Sequence, residues 1–270
     1  MLIRWETYLS VLLFLIMIIK NYFTHAKIES FVRAGFFTRN GGVSTKENYS
    51  LNCNLNSKDK KVNVNKNIDI CLKNLNIKKK IKFISQIHSN KIIEINKKNI
   101  GNKYSGDGLI TSNKKIALGV LTADCCPIFI FDKNKKYICA LHSGWKGSLK
   151  NIAAKGIEYF VKQKIIKKNI VVLIGPCLSF KNFEVSKDFK SKFISKNKKY
   201  SIFFKYKNKN KDLFNLRRLI NFQFKELGIK NIYNINKDTF SNKRVFFSHR
   251  RESQKLRDTG RMLNIIAFND

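Results

Sequence analysis

The sequence predicts an α/β protein with mixed β-sheets, and three observations support this fold class. Short runs of Ile, Val, Leu and Phe between Lys- and Asn-rich connections are typical of strands. Two longer stretches repeat their apolar residues at helical spacing. Residues 170–174 are apolar without interruption, as in strands that are covered on both faces of a sheet. Strands mixed with helices in this way favour an α/β architecture.

The first predicted strands lie beside residues that can carry chemistry. Residues 81–87 and 91–95 are predicted to pair with each other around a turn that contains His88. Residues 116–121 and 128–132 are predicted to be strands that flank a second turn. Active sites gather where strands end and loops begin, so both turns are candidate positions for functional side chains.

The remaining elements alternate between strands and helices. Residues 137–141 are a predicted strand whose carboxyl end carries His142. Residues 147–162 and 213–227 are predicted amphipathic helices, and Gly228 is a suitable stop for the second. The predicted strands that complete the domain are 170–174, 232–235 and 262–268.

The chain is strongly basic, which ordinarily suggests nucleic acid or an anionic membrane as a partner. Its 270 residues include 54 Lys and Arg against 18 Asp and Glu, a formal net charge of +36. The Lys residues are spread from end to end, whereas a nucleic-acid site needs clustering. The composition therefore argues against specific nucleic-acid binding, although a positive field should attract phosphate and other small anions.

Residues 1–30 are expected to form an apolar extension, and residues 31–270 a single catalytic domain. Residues 8–19 are almost wholly apolar, but this is too short for a membrane span of about 20 residues. No clear small-x-small cleavage site follows, as a signal peptide would require. A weak anchor, a signal-like segment and an upstream mis-start remain open, and membrane association is expected only if the segment is genuine.

The cysteine usage points to a reduced compartment. The six Cys residues have no regular spacing, and a chain of this length needs no disulfides to be stable. The expected localisation is therefore cytoplasmic.

Two imidazoles and one thiol near strand ends offer a possible metal site. His88, Cys125 and His142 form a nitrogen and sulfur donor set that suits Zn²⁺. Three protein ligands leave one tetrahedral position open, as a catalytic zinc requires. Their spacing matches no zinc-finger pattern, so the fold must bring them together.

Several blocks of residues match one known family, in its order, from about residue 35 to residue 267. They are Thr38-Arg39-Asn40-Gly41-Gly42-Val43-Ser44, Ser50-Leu51-Asn52, Gln86-Ile87-His88, Gly106-Asp107-Gly108, Thr122-Ala123-Asp124-Cys125-Cys126-Pro127, His142-Ser143-Gly144-Trp145-Lys146-Gly147, Gly175-Pro176 with Phe183-Glu184-Val185, and Phe246-Phe247-Ser248-His249-Arg250-Arg251 before Gly260-Arg261. In these blocks the chain resembles the YfiH/laccase-domain family of purine nucleoside phosphorylases. Asp238-Thr239 and Cys126 depart from the family pattern, which usually has Cys-Thr and Leu there.

The resemblance implies a fold and a set of site residues. It implies layered, mixed β-sheets covered by helices, with zinc ligands at His88, Cys125 and His142. The residues expected to take part in catalysis are Arg39, Asp124 and Cys125. Those expected to bind substrate or phosphate are Arg39, Ser44, Asn52, Gln86 and Arg250.

Some of these residues have a second interpretation. Asp124 could orient a ligand imidazole, or it could cap a turn. The arginines, Arg251 among them, could bind phosphate or could be solvated surface charges. Ser44 and Asn52 could bind sugar hydroxyls or simply hold turns.

The function implied by the resemblance is zinc-dependent phosphorolysis of adenosine, inosine or methylthioadenosine. Purine nucleosides and inorganic phosphate are the expected partners, and adenosine deamination is chemically reasonable at the same zinc. Copper is disfavoured because only four His occur in the chain, and several copper ions would need more imidazoles. The alternatives are a metal-free cysteine hydrolase or amidase that uses Cys125 and His142, and a non-enzymatic basic protein that binds RNA or membranes.

Overall fold

Two large β-sheets form the centre of the molecule. The computed structural model describes residues 21–254 and 259–269, in which the first sheet has five strands. Its order is β1 (Tyr22–Phe23), β2 (Val32–Phe37), β16 (Met262–Phe268), β8 (Ile116–Thr122) and β3 (Lys80–Lys82). Neighbouring strands are antiparallel except for β3, which runs parallel to β8.

The second large sheet has six strands and is also mixed. Its order is β15 (Asn231–Asn234), β11 (Ile170–Ile174), β9 (Cys126–Asp132), β10 (Ile138–Ser143), β7 (Gly108–Thr111) and β5 (Ile92–Glu94). The pairs at its two edges are parallel, and the pairs between them are antiparallel. Two small sheets complete the strands: β12 (Glu184–Ser186), β14 (Lys211–Phe214) and β13 (Phe204–Asn208), and β4 (Ser85–Gln86) with β6 (Ser105–Gly106).

The described residues contain six α-helices, and three of them cover the outer faces of the two large sheets. The helices are α1 (Lys61–Asn74), α2 (Trp145–Leu149), α3 (Ile152–Lys162), α4 (Lys187–Lys196), α5 (Leu216–Glu226) and α6 (His249–Ser253). Buried residues of α1 pack on the first sheet, and those of α3 and α5 pack on the second.

Strand β9 shows how the layers are assembled, because successive side chains of a strand point to opposite faces. Phe129 faces the first sheet, where its ring stacks on Phe36 with 4.7 Å between ring centroids. Ile128 and Ile130 belong to the cluster under α3 and α5. The order of layers is therefore helix, sheet, sheet, helix, and the predicted fold class is confirmed.

One predicted strand pairing was wrong. Residues 81–87 and 91–95 do not form a hairpin; they are divided among β3, β4 and β5, which join different sheets. The segment at His88 is held by the Asp107 carboxylate, not by a ladder between neighbouring strands. Partners distant in sequence decide this pairing, and a local pattern cannot reveal them.

The predicted helix boundaries also needed correction. The helix predicted at 147–162 is interrupted at Asn151, which has a φ of 55° and caps α3 by accepting from the Ala154 amide. The helix predicted at 213–227 begins at Leu216, because the preceding residues form strand β14. Gly228, with a φ of +79°, ends it as predicted.

Residues 21–30, the first that the structure describes, are folded onto the rest of the molecule. Tyr22 and Phe23 pair with β2, and Ile28 is fully buried in the core between the sheets. Residues 21–30 therefore pack with the sheets, although the sequence had assigned them to the extension. The apolar segment at 8–19 lies outside the described residues. Within the described part of the chain, no helix is long and apolar enough to cross a membrane.

Candidate metal centre

The fold brings His88, Cys125 and His142 together. One potential ligand atom from each lies within 4.8 Å of the others. His88 follows strand β4, Cys125 lies on the connection from β8 to β9, and His142 is in β10. The antiparallel register explains part of this arrangement, because the start of β9 pairs with the end of β10. The three side chains differ in exposure: His88 is exposed, Cys125 is half-buried and His142 is buried.

Asp107 holds both histidines of the cluster through hydrogen bonds. Its Oδ1 accepts from His142 Nδ1 at 2.8 Å and from the His88 amide at 3.0 Å. Its Oδ2 accepts from the amide and hydroxyl of Ser89, at 2.5 and 2.7 Å. Because a carboxylate only accepts, His142 carries its proton on Nδ1 and turns Nε2 toward a ligand position. The sequence placed Asp107 inside a motif but gave it no role; its position between two glycines was the available signal.

Asp124 does not have the orienting role that was one of its predicted functions. Its carboxylate accepts from the hydroxyls of Thr239 and Ser248, at 2.6 and 2.9 Å, and from the Arg250 amide at 2.6 Å. These bonds join the Cys125 turn to two distant loops. Asp124 therefore fixes the backbone beside the thiol, and Asp107 holds the imidazole.

Gly144 leaves the space that the three ligands need. A Cβ at this position would lie 2.9 Å from both Cys125 Sγ and His88 Nδ1. Real Cβ atoms do not approach heavy atoms so closely, so only glycine allows this arrangement of donors. Two imidazoles and a thiolate around an uncrowded point fit a tetrahedral metal ion such as zinc.

Burial and neighbouring charges shift the pKa values of these groups. Burial lowers the pKa of the His142 imidazole, but Cys125 and Asp107 outweigh this effect and raise it to about 9. Burial raises the pKa of Asp107, but hydrogen bonds from His142 and Ser89 outweigh it and hold the pKa at about 2. Burial and the neighbouring His142 lower the pKa of His88. Below the pKa of His142, the metal-free protein therefore carries a second proton on the His142 ring, in addition to the one on Nδ1, and a metal ion must displace it.

A cleft of about 750 Å³ opens on the cluster. All three potential ligands line it. None of the described residues in its wall is an Asp or Glu, whereas Lys82, Lys103 and Arg261 are cationic. The cleft therefore suits a substrate that is neutral or negatively charged.

Arg39 and Arg250, predicted to bind phosphate, hold loops together in this structure. Arg39 donates from Nε to the Tyr49 carbonyl at 2.8 Å, and its guanidinium lies 4.5 Å from the centroid of the Phe247 ring. Arg250 donates to the Glu184 carbonyl at 3.0 Å. Neither is among the described residues that line the cleft. Arg251 is similarly engaged, with bonds to three backbone carbonyls.

Ser44 and Asn52, predicted to contact substrate, are buried and hold turns. Ser44 accepts from Asn67 Nδ2 at 2.8 Å. Asn52 is fully buried, and its side chain bonds to Asp59 and to the Arg261 amide. The second bond is a link to the cleft, since Arg261 lines it.

Gln86 lines the cleft, but both ends of its amide have partners. Its Nε2 donates to the Leu121 carbonyl and its Oε1 accepts from the Leu121 amide, each at 2.8 Å. The Gln86 side chain thus makes the same pair of hydrogen bonds that a neighbouring strand would make, and it connects β4 to the end of β8.

Known proteins resemble this chain along most of its length. The family model described as "Multi-copper polyphenol oxidoreductase laccase" matches residues 33–269. The chain belongs to this family. A Haemophilus influenzae relative named purine nucleoside phosphorylase is 30% identical over 233 residues, covering 86% of this chain and 92% of its own. The Bacillus subtilis purine nucleoside phosphorylase YlmD is 30% identical over 263 residues, covering 88% and 89%.

Solved structures agree with this laccase-family assignment. The Neisseria meningitidis protein NMB0706 superposes with a TM-score of 0.84 at 26% identity, over 93% of this chain and 100% of its own. The Bacillus licheniformis protein YfiH gives a TM-score of 0.82 at 25% identity, over 93% and 97%.

The histidines of this laccase-family chain limit the metal sites it can form. His25 contacts the Tyr233 ring, with 4.6 Å between centroids, and is not part of the cleft wall. His249 lines the cleft beside the three clustered ligands. The imidazoles available around the cleft are therefore His88, His142 and His249.

Proposed function

We propose that the protein is a zinc-dependent purine nucleoside phosphorylase, which converts a purine nucleoside and phosphate to free base and ribose 1-phosphate. The observation that carries the proposal is the His88, Cys125 and His142 cluster in a cleft whose described wall residues include no carboxylate. The family membership and the names of the relatives support the same reaction.

Zinc fits this cluster better than a set of copper ions. One thiolate and two imidazoles make a complete three-ligand set for catalytic zinc. A multi-copper centre needs more imidazoles than the cleft offers. When bound, zinc would act as a Lewis acid that polarises an oxygen atom of the reactants.

The residues of the chain would prepare the reaction by orientation and charge. Asp107 keeps the His142 ring in one tautomer, and Asp124 fixes the backbone at Cys125. An oxygen of hydrogen phosphate would attack C1′ of the ribose while the bond from C1′ to the base breaks, and the base would take up the proton that the phosphate loses. Arg261, which lines the cleft, would offset the phosphate charge in place of Arg39 and Arg250, and His249 would donate a hydrogen bond to a phosphate oxygen.

We expect metal affinity to depend on pH. A metal must displace the proton of His142, whose pKa is about 9. The dissociation constant for Zn²⁺ should therefore fall at least about tenfold per pH unit up to that pKa, because every ligand must lose its proton before the metal binds. Competition with a chromophoric chelator measures this slope, and His25→Ala, altered far from the cleft wall, should show the same slope. A dissociation constant independent of pH would contradict a protonated His142 in the metal-free protein.

Incubation with adenosine, inosine and methylthioadenosine, with and without phosphate, tests the reaction. We expect base and ribose 1-phosphate only when phosphate is present, and loss of both products after chelation. Chromatography also detects inosine formed from adenosine, which would extend the proposal to deamination. Base release without phosphate would contradict phosphorolysis, and chelator-resistant, alkylation-sensitive activity would favour a thiol hydrolase built on Cys125 and His142.

A cytoplasmic location belongs to the same proposal. All six cysteines, which lie within the described residues, are free thiols. Free thiols at this number are typical of proteins in a reducing compartment.

A further inference from the structure

A buried lysine in the cleft wall has no acidic partner. Lys82 is 8% exposed, and burial lowers the pKa of its ammonium. No carboxylate of the described residues lies within ion-pair distance of its Nζ. Burying a cation without a counter-ion costs free energy, so its backbone contacts must matter to the structure.

The ammonium of Lys82 holds the loop that precedes β6. Nζ donates to the Ile100 carbonyl at 2.6 Å and also to the Asn102 carbonyl. It also lies 5.6 Å from the centroid of the Tyr104 ring, within the range of a cation–π contact. Three contacts from one side chain thus fix both the path of the loop and the position of its aromatic ring.

Further bonds place Tyr104 beside strand β4. The Tyr104 carbonyl accepts from the Ser85 amide at 2.9 Å, and its hydroxyl accepts from Asn102 Nδ2 at 3.2 Å. Ser85 lies three residues before His88, a span of at most roughly 11 Å. Tyr104 and the three potential metal ligands therefore line one cleft, and three residues of backbone connect the strand beside Tyr104 to His88.

The cleft wall to which Tyr104 belongs has the chemistry of a site for a flat, polar heterocycle. Phe83 and Leu55 supply apolar surface, while Asn54 and Asn102 supply amide donors and acceptors. Bases stack on aromatic rings irrespective of their substituents, and amides read their edges. Carboxylates are missing from the described part of this wall, so no residue there would favour a cationic ligand.

We propose that Tyr104 is the platform on which the purine base stacks, and that Lys82 is the positioning residue that holds this platform. The inference rests on the proposed function and adds the base subsite to it. The ribose would then extend from the base on Tyr104 toward the metal cluster.

Kinetics of four variants test the subsite. Tyr104→Ala should raise the KM for adenosine about tenfold, with a smaller change in kcat, because base–aromatic stacking is worth that much in alanine substitutions. Tyr104→Phe, which keeps the ring, should change this KM by less than about threefold. Lys82→Met should raise the adenosine KM while the KM for phosphate stays constant, and Lys82→Arg should restore part of the affinity. Lys79→Met is the matched control, because Lys79 also donates to a backbone carbonyl, that of Phe268, but does not line the cleft.

Other outcomes would overturn the inference. A rise in the phosphate KM of Lys82→Met would make Lys82 an anion-binding residue, and an unchanged adenosine KM in Tyr104→Ala would remove the platform. Titration calorimetry with free adenine separates this failure from failure of the proposed function. If the wild-type protein binds adenine and Tyr104→Ala does not, the subsite stands even if phosphorolysis is not observed. If the two bind adenine equally, the subsite is wrong whatever the reaction.

Discussion

Replacing Cys125 or His142 with Ala is expected to abolish both metal retention and turnover. Either change removes one of the three donors that, among the described residues, lie within 4.8 Å of one another. Two protein donors bind zinc much more weakly than three, so the metal should be lost to the solvent. Metal content measured by mass spectrometry and product formation measured by chromatography should both fall below detection.

The neighbouring thiol provides a matched control for this experiment. Cys126 is adjacent in sequence and fully buried, but its Sγ lies near the backbone carbonyls of Pro127 and Gly175. Cys126→Ala should keep the metal and the activity, with at most a modest loss of stability from the small cavity. Full activity in Cys125→Ala, or equal loss in both variants, would rule out the proposed ligand set.

Replacing Asp107 with Asn is expected to weaken metal binding about 10- to 100-fold, the usual effect of removing a partner of a ligand histidine. All the partners of Asp107 donate hydrogen bonds to it. The NH₂ group of the new Asn side chain would therefore face N–H or O–H groups with which it cannot bond. His142 would lose the acceptor that fixes its tautomer. Zinc dissociation constants measured with a fluorescent chelator check this prediction.

Asp132 separates this effect from general damage to the core. It is also fully buried, and it accepts from the amides of Asn134, Lys136 and Tyr137 in a turn of the second sheet. Asp132→Asn should lower stability, by about 1–3 kcal/mol for an unsatisfied buried group, without changing zinc affinity. Equal zinc affinity in Asp107→Asn and the wild-type protein would show that the carboxylate does not position the ligand.

Local patterns predicted the covered strands well. Residues 170–174 and 262–268 are strands at the predicted bounds, because their apolar runs are buried on both faces. Pairing was less predictable: residues 81–87 and 91–95 look like a hairpin, but each piece finds a partner elsewhere. Helix α1 was missed because its Lys and Asn residues obscure the apolar side formed by Val64, Ile68 and Cys71.

The metal ligands could be predicted from motifs, but the roles of the surrounding residues could not. An Arg in a motif suggests phosphate binding, yet Arg39 and Arg250 are used to tie loops through carbonyls. The function of a carboxylate likewise depends on which donors reach it, as Asp107 and Asp124 demonstrate. Lys82 and Tyr104 gave no signal at all, since nothing local in the sequence shows that they meet.

Cys125 lies where the backbone leaves the first large sheet and enters the second, and its two candidate co-ligands come from other segments. A bound cation would therefore cross-link segments of the chain that are far apart in sequence, in addition to the hydrogen bonds that Asp107 makes between two of them. By mass action, metal at a hundred times its dissociation constant would add about 2.7 kcal/mol to the free energy of unfolding. The thermal unfolding temperature of this protein would then rise with the concentration of free zinc. Scarcity of the metal would lower the fraction of folded protein as well as its activity.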